Sequence, residues 1–203
     1  MSVPDHYYSP DPASASRPDW VMVSVLGREL RFATDAGVFS RDGLDPGSRL
    51  LIESAGELRG RVLDLGCGWG AVGVALALEN PDTTFLLSDV NRRAAALAAA
   101  NADANGARNA RAIESDGFSA IDGTFDRILI NPPIRAGKAV IYRLFADARE
   151  RLNEGGALDV VIRKAQGAPS ALVYLKELFG DARVVARGGG YRVIRAVRRG
   201  EGE

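Results

Sequence analysis

Arg61-Val62-Leu63-Asp64-Leu65-Gly66-Cys67-Gly68-Trp69-Gly70-Ala71-Val72-Gly73-Val74 is the stretch whose reading decides the fold. A short apolar run holding one acid leads into three glycines at alternate positions, and an apolar segment follows at once. That order predicts a buried strand at 61–65, a tight turn, and a helix over 71–79 stopped by Asn80-Pro81. Downstream the alternation repeats: a strand at 84–88, an alanine-rich helix over 91–104 before Gly106, and a strand near 110–114. A fourth strand, 127–130, runs into Asn131-Pro132-Pro133. A helix is expected over 138–152, with Gly155-Gly156 beyond its end, then a strand at 157–163 and a helix from about 169 to 179. Two strands, 182–187 and 191–197, flank Gly188-Gly189-Gly190 and predict an antiparallel hairpin at the sheet edge. Strands alternating with helices give an α/β fold: a doubly wound, Rossmann-like, seven-stranded and mostly parallel sheet with an antiparallel C-terminal hairpin strand.

Upstream, Trp20–Leu26 and Glu29–Ala33 flank Gly27-Arg28 and predict a short N-terminal β-hairpin. A turn-rich loop, 34–40, and a helix near 47–55 follow. Residues 1–19, with four prolines, are expected to form an extended arm. Residues 20–203 then make one domain, in which 20–58 hold the hairpin and helix and 59–199 the core.

The 203 residues are 46% hydrophobic with a formal net charge of zero, which excludes a disordered chain. No apolar run is long enough to span a membrane and no secretory leader is visible, so the expectation is a cytoplasmic protein, monomer or homodimer. Cys67 and His6 are the only soft metal ligands, so no metal site is expected. Only Lys138, Lys164 and Lys176 of the 26 basic residues are lysines. Arg183, Arg187, Arg192, Arg195, Arg198 and Arg199 crowd a stretch without acids. They are either a solvated edge strand or a patch for a phosphate backbone.

In doubly wound sheets ligands bind outside the carboxyl ends of the strands, and four features fall there. In the loop Gly66-Cys67-Gly68-Trp69-Gly70, glycines permit sharp turns and close backbone approach to a ligand. Its G-x-G-x-G spacing departs from the dinucleotide fingerprint, and Asp64 before it disfavours a pyrophosphate. Asp89 ends the second strand, where a carboxylate either accepts from ribose hydroxyls or favours the following helix N-terminus. Ser115-Asp116-Gly117 ends the third strand, as an adenine-facing acid or a plain turn. In Asn131-Pro132-Pro133-Ile134 the prolines stop the strand, so the Asn131 amide oxygen and the Pro132 carbonyl can act as paired acceptors for one NH₂ group.

Together these features resemble the class I S-adenosylmethionine (SAM) methyltransferases that carry an (Asn/Asp)-Pro-Pro motif. More closely, the chain resembles the small-domain family of RsmC-like rRNA guanine-N2 methyltransferases. Val62–Gly70 is similar to that family's SAM loop and Asn131–Lys138 to its catalytic loop. Gly37-Val38-Phe39-Ser40 with Gly47-Ser48-Arg49-Leu50-Leu51 is similar to its pre-core segment, and the likeness extends through Lys164-Ala165-Gln166-Gly167-Ala168.

The resemblance implies SAM as cofactor and ribosomal RNA or a ribosomal subunit as partner. It implies that Asp64 holds the methionine amine beside Gly66, Cys67, Gly68 and Gly70, that Asp89 with Val90 meets the ribose, and that Ser115, Asp116 and Gly117 meet the adenine. Asn131, Pro132, Pro133 and Ile134 would form the catalytic loop, Asn131 also touching SAM, with Phe39, Arg135 and Lys138 toward the substrate. Many relatives have an aromatic residue where this chain has Ile134, which shifts any base stacking to Trp69, Phe39 or the Tyr7-Tyr8 arm. Three other functions compete. A protein glutamine-N5 methyltransferase would use the same two acceptors. A non-catalytic RNA-binding or assembly module would keep the fold alone. A nicotinamide oxidoreductase is disfavoured by the glycine spacing.

Overall fold

The computed structural model describes residues 14–200. Its centre is a seven-stranded sheet in the order β5-β4-β3-β6-β7-β9-β8. The parallel strands are β3 (Arg61–Leu65), β4 (Thr84–Asp89), β5 (Ala110–Glu114), β6 (Phe125–Ile130) and β7 (Leu152–Arg163). The final pair is β8 (Gly180–Gly188) and β9 (Tyr191–Arg198). Of these, β9 runs antiparallel to both β7 and β8, so it lies inside the sheet and β8 forms the edge.

Both faces of the sheet are covered, which is why its strands are almost continuously apolar. Val62, Phe85, Leu87, Leu129, Val161 and Val193 point to one face, under α1 (Pro46–Ser54), α2 (Ala71–Glu79) and α3 (Arg92–Asn105). Leu63, Leu65, Leu86, Ile128, Val160 and Ile194 point to the other, under α4 (Lys138–Glu150) and α5 (Ala168–Phe179). Helix α2 is buried over Ala71–Ala77 and sits hard on the sheet: a Cβ on Gly73 would meet Leu87 at 2.6 Å. Asn91 caps α3 by accepting from the Arg93 and Ala94 amides, and Gly106 ends it in the left-handed conformation.

The N-terminal strands β1 (Asp19–Val25) and β2 (Arg28–Thr34) form a separate hairpin. Its turn is Leu26-Gly27, one residue earlier than expected, because both take the positive φ (50° and 73°) that a two-residue hairpin turn requires. The hairpin docks on α3 through Asn101, whose carboxamide bonds both the N–H and the C=O of Ala33. Of the arm, Ser16 and the Arg17 amide are tied to Asp35; residues 1–13, with His6 and Tyr7-Tyr8, lie outside the described residues.

The junction between α4 and β7 departs furthest from expectation. Helix α4 ends at Glu150, and Leu152 instead opens β7, five residues ahead of the predicted start, because it pairs with Phe125. A register shift between Phe125 and Arg127 absorbs the extra length. Gly156 makes that possible, since a Cβ there would meet the carbonyl oxygens of Asn153, Asp126 and Phe125 at 2.9–3.1 Å.

Candidate active site

The chain builds β3, β4 and β5 outward in one direction and then returns to place β6 on the other side of β3. At that switch point a cleft of about 440 Å³ opens on the carboxyl ends of the strands. One wall comes from the glycine loop after β3, the end of β4 and the turn after β5; the opposite wall is Ile130, Asn131, Pro132 and Pro133 after β6. Phe39, Ser40, Leu44, Asp45 and Ser48 of the pre-core segment close a further side.

The glycines of the loop divide by role. Gly66 and Gly68 have positive φ (74° and 56°), and an added Cβ would meet nothing within 4 Å, so the backbone there faces open cleft. Gly70 does not line the cleft: it starts α2 at φ 91°, and its missing Cβ admits Ala98 of α3 at 3.0 Å. The structure places it, of the glycines expected at the cofactor, in the packing of α2 against α3. The loop hangs from Ser88, whose carbonyl accepts from the Gly66 and Cys67 amides. Cys67 is buried, and burial pushes its thiol well above the usual value, so it is a wall residue and not a nucleophile.

Two buried carboxylates face this loop. Asp64 takes the Gly73 amide on Oδ2 at 2.8 Å. Burial raises its carboxyl to about 7, the Gly73 bond opposing and the Asp89 charge adding. Asp89 accepts the Gly68 amide at 2.8 Å and the Asn91 amide at 2.9 Å, so it joins the loop to the β4–α3 turn. Burial raises its pKa as well. Neither acid has a salt-bridge partner among the described residues. Val90, Ser115, Asp116 and Gly117 continue the same wall, with Ser115 donating to the Gly117 carbonyl.

On the opposite wall, Asn131 Nδ2 donates to Asp45 Oδ2 at 2.8 Å and to Ser48 Oγ at 3.0 Å. Its carboxamide oxygen is thereby left for another donor. Ile134 turns away to lean on the core beneath α4 and α5, and Lys138 lies at 4.9 Å over the Tyr142 ring; neither lines the cleft, whereas Arg135 does. Trp69 touches the cleft, but its ring packs at 4.9 Å against Phe32 and its indole N–H donates to the Ser40 carbonyl at 3.3 Å. It is a pillar rather than a stacking platform, which leaves half-buried Phe39 as the aromatic residue on that side.

Sequence reasoning passed over Asp45, Ser48 and Tyr191. Asp45-Pro46 carries the cap-then-proline signature of a helix start, but nothing local links it to Asn131. The arginine-rich stretch also needs correcting. Arg195 is an internal strut, bonded through Nε and Nη2 to buried Asp159 at 2.7 and 2.8 Å, and Arg198 donates to the carbonyls of Arg149, Glu150 and Leu152. Arg183 and Arg199 flank Asp181, leaving Arg187 and Arg192, opposite one another across β8 and β9, without an acidic partner among the described residues. No group of three or more potential metal ligands occurs among the described residues, and no helix is long and apolar enough to cross a membrane.

Residues 29–195 match the family described as the methyltransferase small domain. The chain is 44% identical over 196 residues to the uncharacterized protein YbxB of Bacillus subtilis, covering 95% of this chain and 98% of that one. It is 38% identical over 183 residues to ribosomal RNA small subunit methyltransferase C of Escherichia coli, covering 88% of this chain but 52% of that protein, so it spans about half the length of that relative. Among solved structures, the Thermus thermophilus 16S rRNA N2 G1207 methyltransferase (RsmC), in complex with AdoMet and guanosine, superposes with a TM-score of 0.80 at 30% identity over 93% of this chain and 52% of that one. A ribosomal protein L11 methylase from Lactobacillus delbrueckii shares the fold, with a TM-score of 0.62 at 23% identity over 76% of this chain and 77% of that one. With a glycine loop, two buried strand-end acids and an oriented Asn-Pro-Pro turn converging on one cleft, the chain belongs to the methyltransferase small-domain family of class I SAM-dependent methyltransferases.

Proposed function

We propose that this protein methylates an exocyclic amino group of a nucleobase in ribosomal RNA, with guanine N2 as the target. The observation that carries the reading is the Asn131 carboxamide: with Nδ2 bonded to Asp45 and Ser48, its oxygen is the acceptor presented to the cleft. Support for RNA comes from the RsmC relatives and from charge at the mouth of the site. Arg135 and Lys138 begin the segment after Asn-Pro-Pro. Arg163 sits over the Tyr191 ring at 5.4 Å, and Lys164, Arg187 and Arg192 adjoin it at the same end of the sheet. None of the six is ion-paired among the described residues. Such cations track a phosphate backbone without reading sequence.

The cleft residues fit SAM. Asp64 would pair with the methionine ammonium, Asp89 would accept from the ribose, and the open backbone at Gly66 and Gly68 would lie against the methionine portion. Bound SAM supplies an electrophilic methyl group. The chain's part is positioning and electrostatics. An exocyclic amine is a weak nucleophile because its lone pair is delocalised into the ring. The Asn131 oxygen and the Pro132 carbonyl would accept its two N–H groups, favour a pyramidal nitrogen, and stabilise the positive charge that grows there as the N–C bond forms and the methyl–sulfur bond breaks, its electron pair staying on sulfur. The nitrogen then sheds one proton to water, so no tuned general base is needed. A base held in a duplex must first be extruded.

The test is transfer of radiolabelled methyl from SAM to ribosomal fractions of a strain lacking this gene. Label in RNA, recovered as N2-methylguanosine, is the expected result. Asn131→Ala should cut turnover by about 100- to 1,000-fold, with SAM affinity unchanged. Label confined to protein would replace this reading with glutamine methylation, and an equal loss of SAM binding would make Asn131 structural.

A further inference from the structure

We infer that Asp45 is a positioning residue for the methyl transfer, locking the Asn131 carboxamide in the one orientation that turns its oxygen to the substrate; this rests on the amino-group reading above. Asp45 is the N-cap of α1, its Oδ1 taking the Gly47 amide at 3.1 Å and its Oδ2 the Ser48 amide at 2.7 Å. The same Oδ2 receives Asn131 Nδ2, from 86 positions along the chain, and Tyr191 of β9 donates its hydroxyl to Oδ1 at 3.3 Å. Gly47 allows this closure, because a Cβ there would meet the Tyr191 ring at 2.8 Å. The carboxylate thus gathers α1, the end of β6 and the start of β9 at one point.

The direction of the lock follows from donor and acceptor chemistry. An ionised carboxylate only accepts, whereas a carboxamide has a donating end and an accepting end. Were Asn131 flipped, its oxygen would face Asp45 Oδ2, acceptor against acceptor, and its NH₂ would face the cleft, where it would repel an amino substrate. With Asp45 in place only the productive rotamer is satisfied, and Ser48 Oγ takes the second Nδ2 hydrogen. The bond is charge-assisted, so it also pushes electron density toward the carboxamide oxygen, which strengthens that acceptor as the substrate nitrogen becomes cationic.

Asp45→Asn separates this role from helix capping, because Asn caps a helix as well as Asp does. An asparagine at 45 has one accepting oxygen where the aspartate has two and carries no charge, so Asn131 and the Ser48 amide compete with the Gly47 amide and Tyr191 for it, and the lock is weakened. The expected result is a fall in kcat of about 10- to 100-fold, with the SAM Kd and the thermal midpoint unchanged. Asn131→Asp alone, which sets two carboxylates against each other, should be nearly inactive. Joined to Asp45→Asn it restores a donor–acceptor pair in the reverse sense, and activity should recover at least about tenfold over that single variant. Independently of any substrate, the assigned Asn131 side-chain ¹H–¹⁵N signals should move and lose exchange protection in Asp45→Asn.

Unmoved signals, or a kcat within twofold of wild type, would overturn the lock. A double variant no better than Asn131→Asp would overturn it too. If wild-type protein methylates no ribosomal RNA, the functional reading fails instead, and the side-chain signals still decide whether Asp45 orients Asn131.

Discussion

Two sets of buried carboxylates on the same face of the sheet have been treated in opposite ways. Asp159, fully buried in the middle of β7, lies between Arg127 of β6 at 3.0 Å and Arg195 of β9 at 2.7 Å, and Arg195 also reaches the carbonyl of Ala55, the C-cap of α1. Asp64 and Asp89, at the ends of β3 and β4, have backbone amides and no cation. In the first the carboxylate is more than matched by two guanidiniums, and its bidentate bond raises the Arg195 pKa. The second is left short of positive charge, so burial drives both acids toward protonation. A cluster that closes on itself holds three strands in register, whereas one left open beside a cleft keeps its acceptors available to whatever enters there. The contrast tells structure from site better than burial does, since all three acids are buried.

Breaking the closed cluster should have the largest effect. Asp159→Ala leaves two guanidiniums facing each other in the sheet, and its expected cost is about 3–5 kcal/mol of folding stability, read from the denaturant midpoint. A midpoint near wild type would mean that the triad is solvated and the contrast false. At the open cluster the opposite pattern is expected. Asp64→Asn should weaken SAM about tenfold or more, about 1.4 kcal/mol per factor of ten, while the apo thermal midpoint holds or rises. Loss of folding without loss of SAM affinity would reverse the assignment.

Protonation sharpens the same point. The unfolded chain releases the Asp64 proton near the ordinary carboxylate value, whereas the fold keeps it until about 7, so the apo protein loses stability as pH rises through that interval. A cationic ligand favours the ionised acid. SAM affinity should therefore rise from about pH 5.5 to about 7 and then level, and binding at pH 6 should release a proton, seen by calorimetry in buffers of different ionisation enthalpy. Asp64→Asn should abolish the proton release; a flat profile in the wild type would place the ammonium elsewhere. The smallest effect is expected at the rim. Arg192→Ala should leave the fold intact and lower the slope of log K against log salt for RNA binding by about one unit, while Arg195→Ala, three residues on, should damage folding. Equal behaviour of the two arginines would erase the distinction between paired and unpaired cations.

The parts of this molecule legible in its sequence are those whose partners are close in the chain. The glycine loop hangs between adjacent elements, and the Asn-Pro-Pro turn announces itself because proline ends a strand whatever surrounds it. Asp45 was passed over, because its partner Asn131 is 86 positions away. Arg195 looked like one more surface charge for the same reason: Asp159 is 36 positions earlier, an acid inside an apolar strand whose compensation depends on β9 being inserted beside it. The displaced start of β7 has a related cause. Leu152 satisfies the apolar face of α4 as well as it satisfies a strand, and its pairing with Phe125 decides.

The placement of β9 also bears on how the chain is made. Synthesis delivers β8 before β9, yet β8 touches the sheet only through β9, so the newly made edge strand has nothing to pair with until its successor emerges. Until then Asp159 lacks one of its two arginines and Asp45 lacks the Tyr191 hydroxyl. The sheet edge and the Tyr191 support behind Asp45 and Asn131 therefore both wait on the same eight residues, Tyr191–Arg198, which slot between two strands made before them.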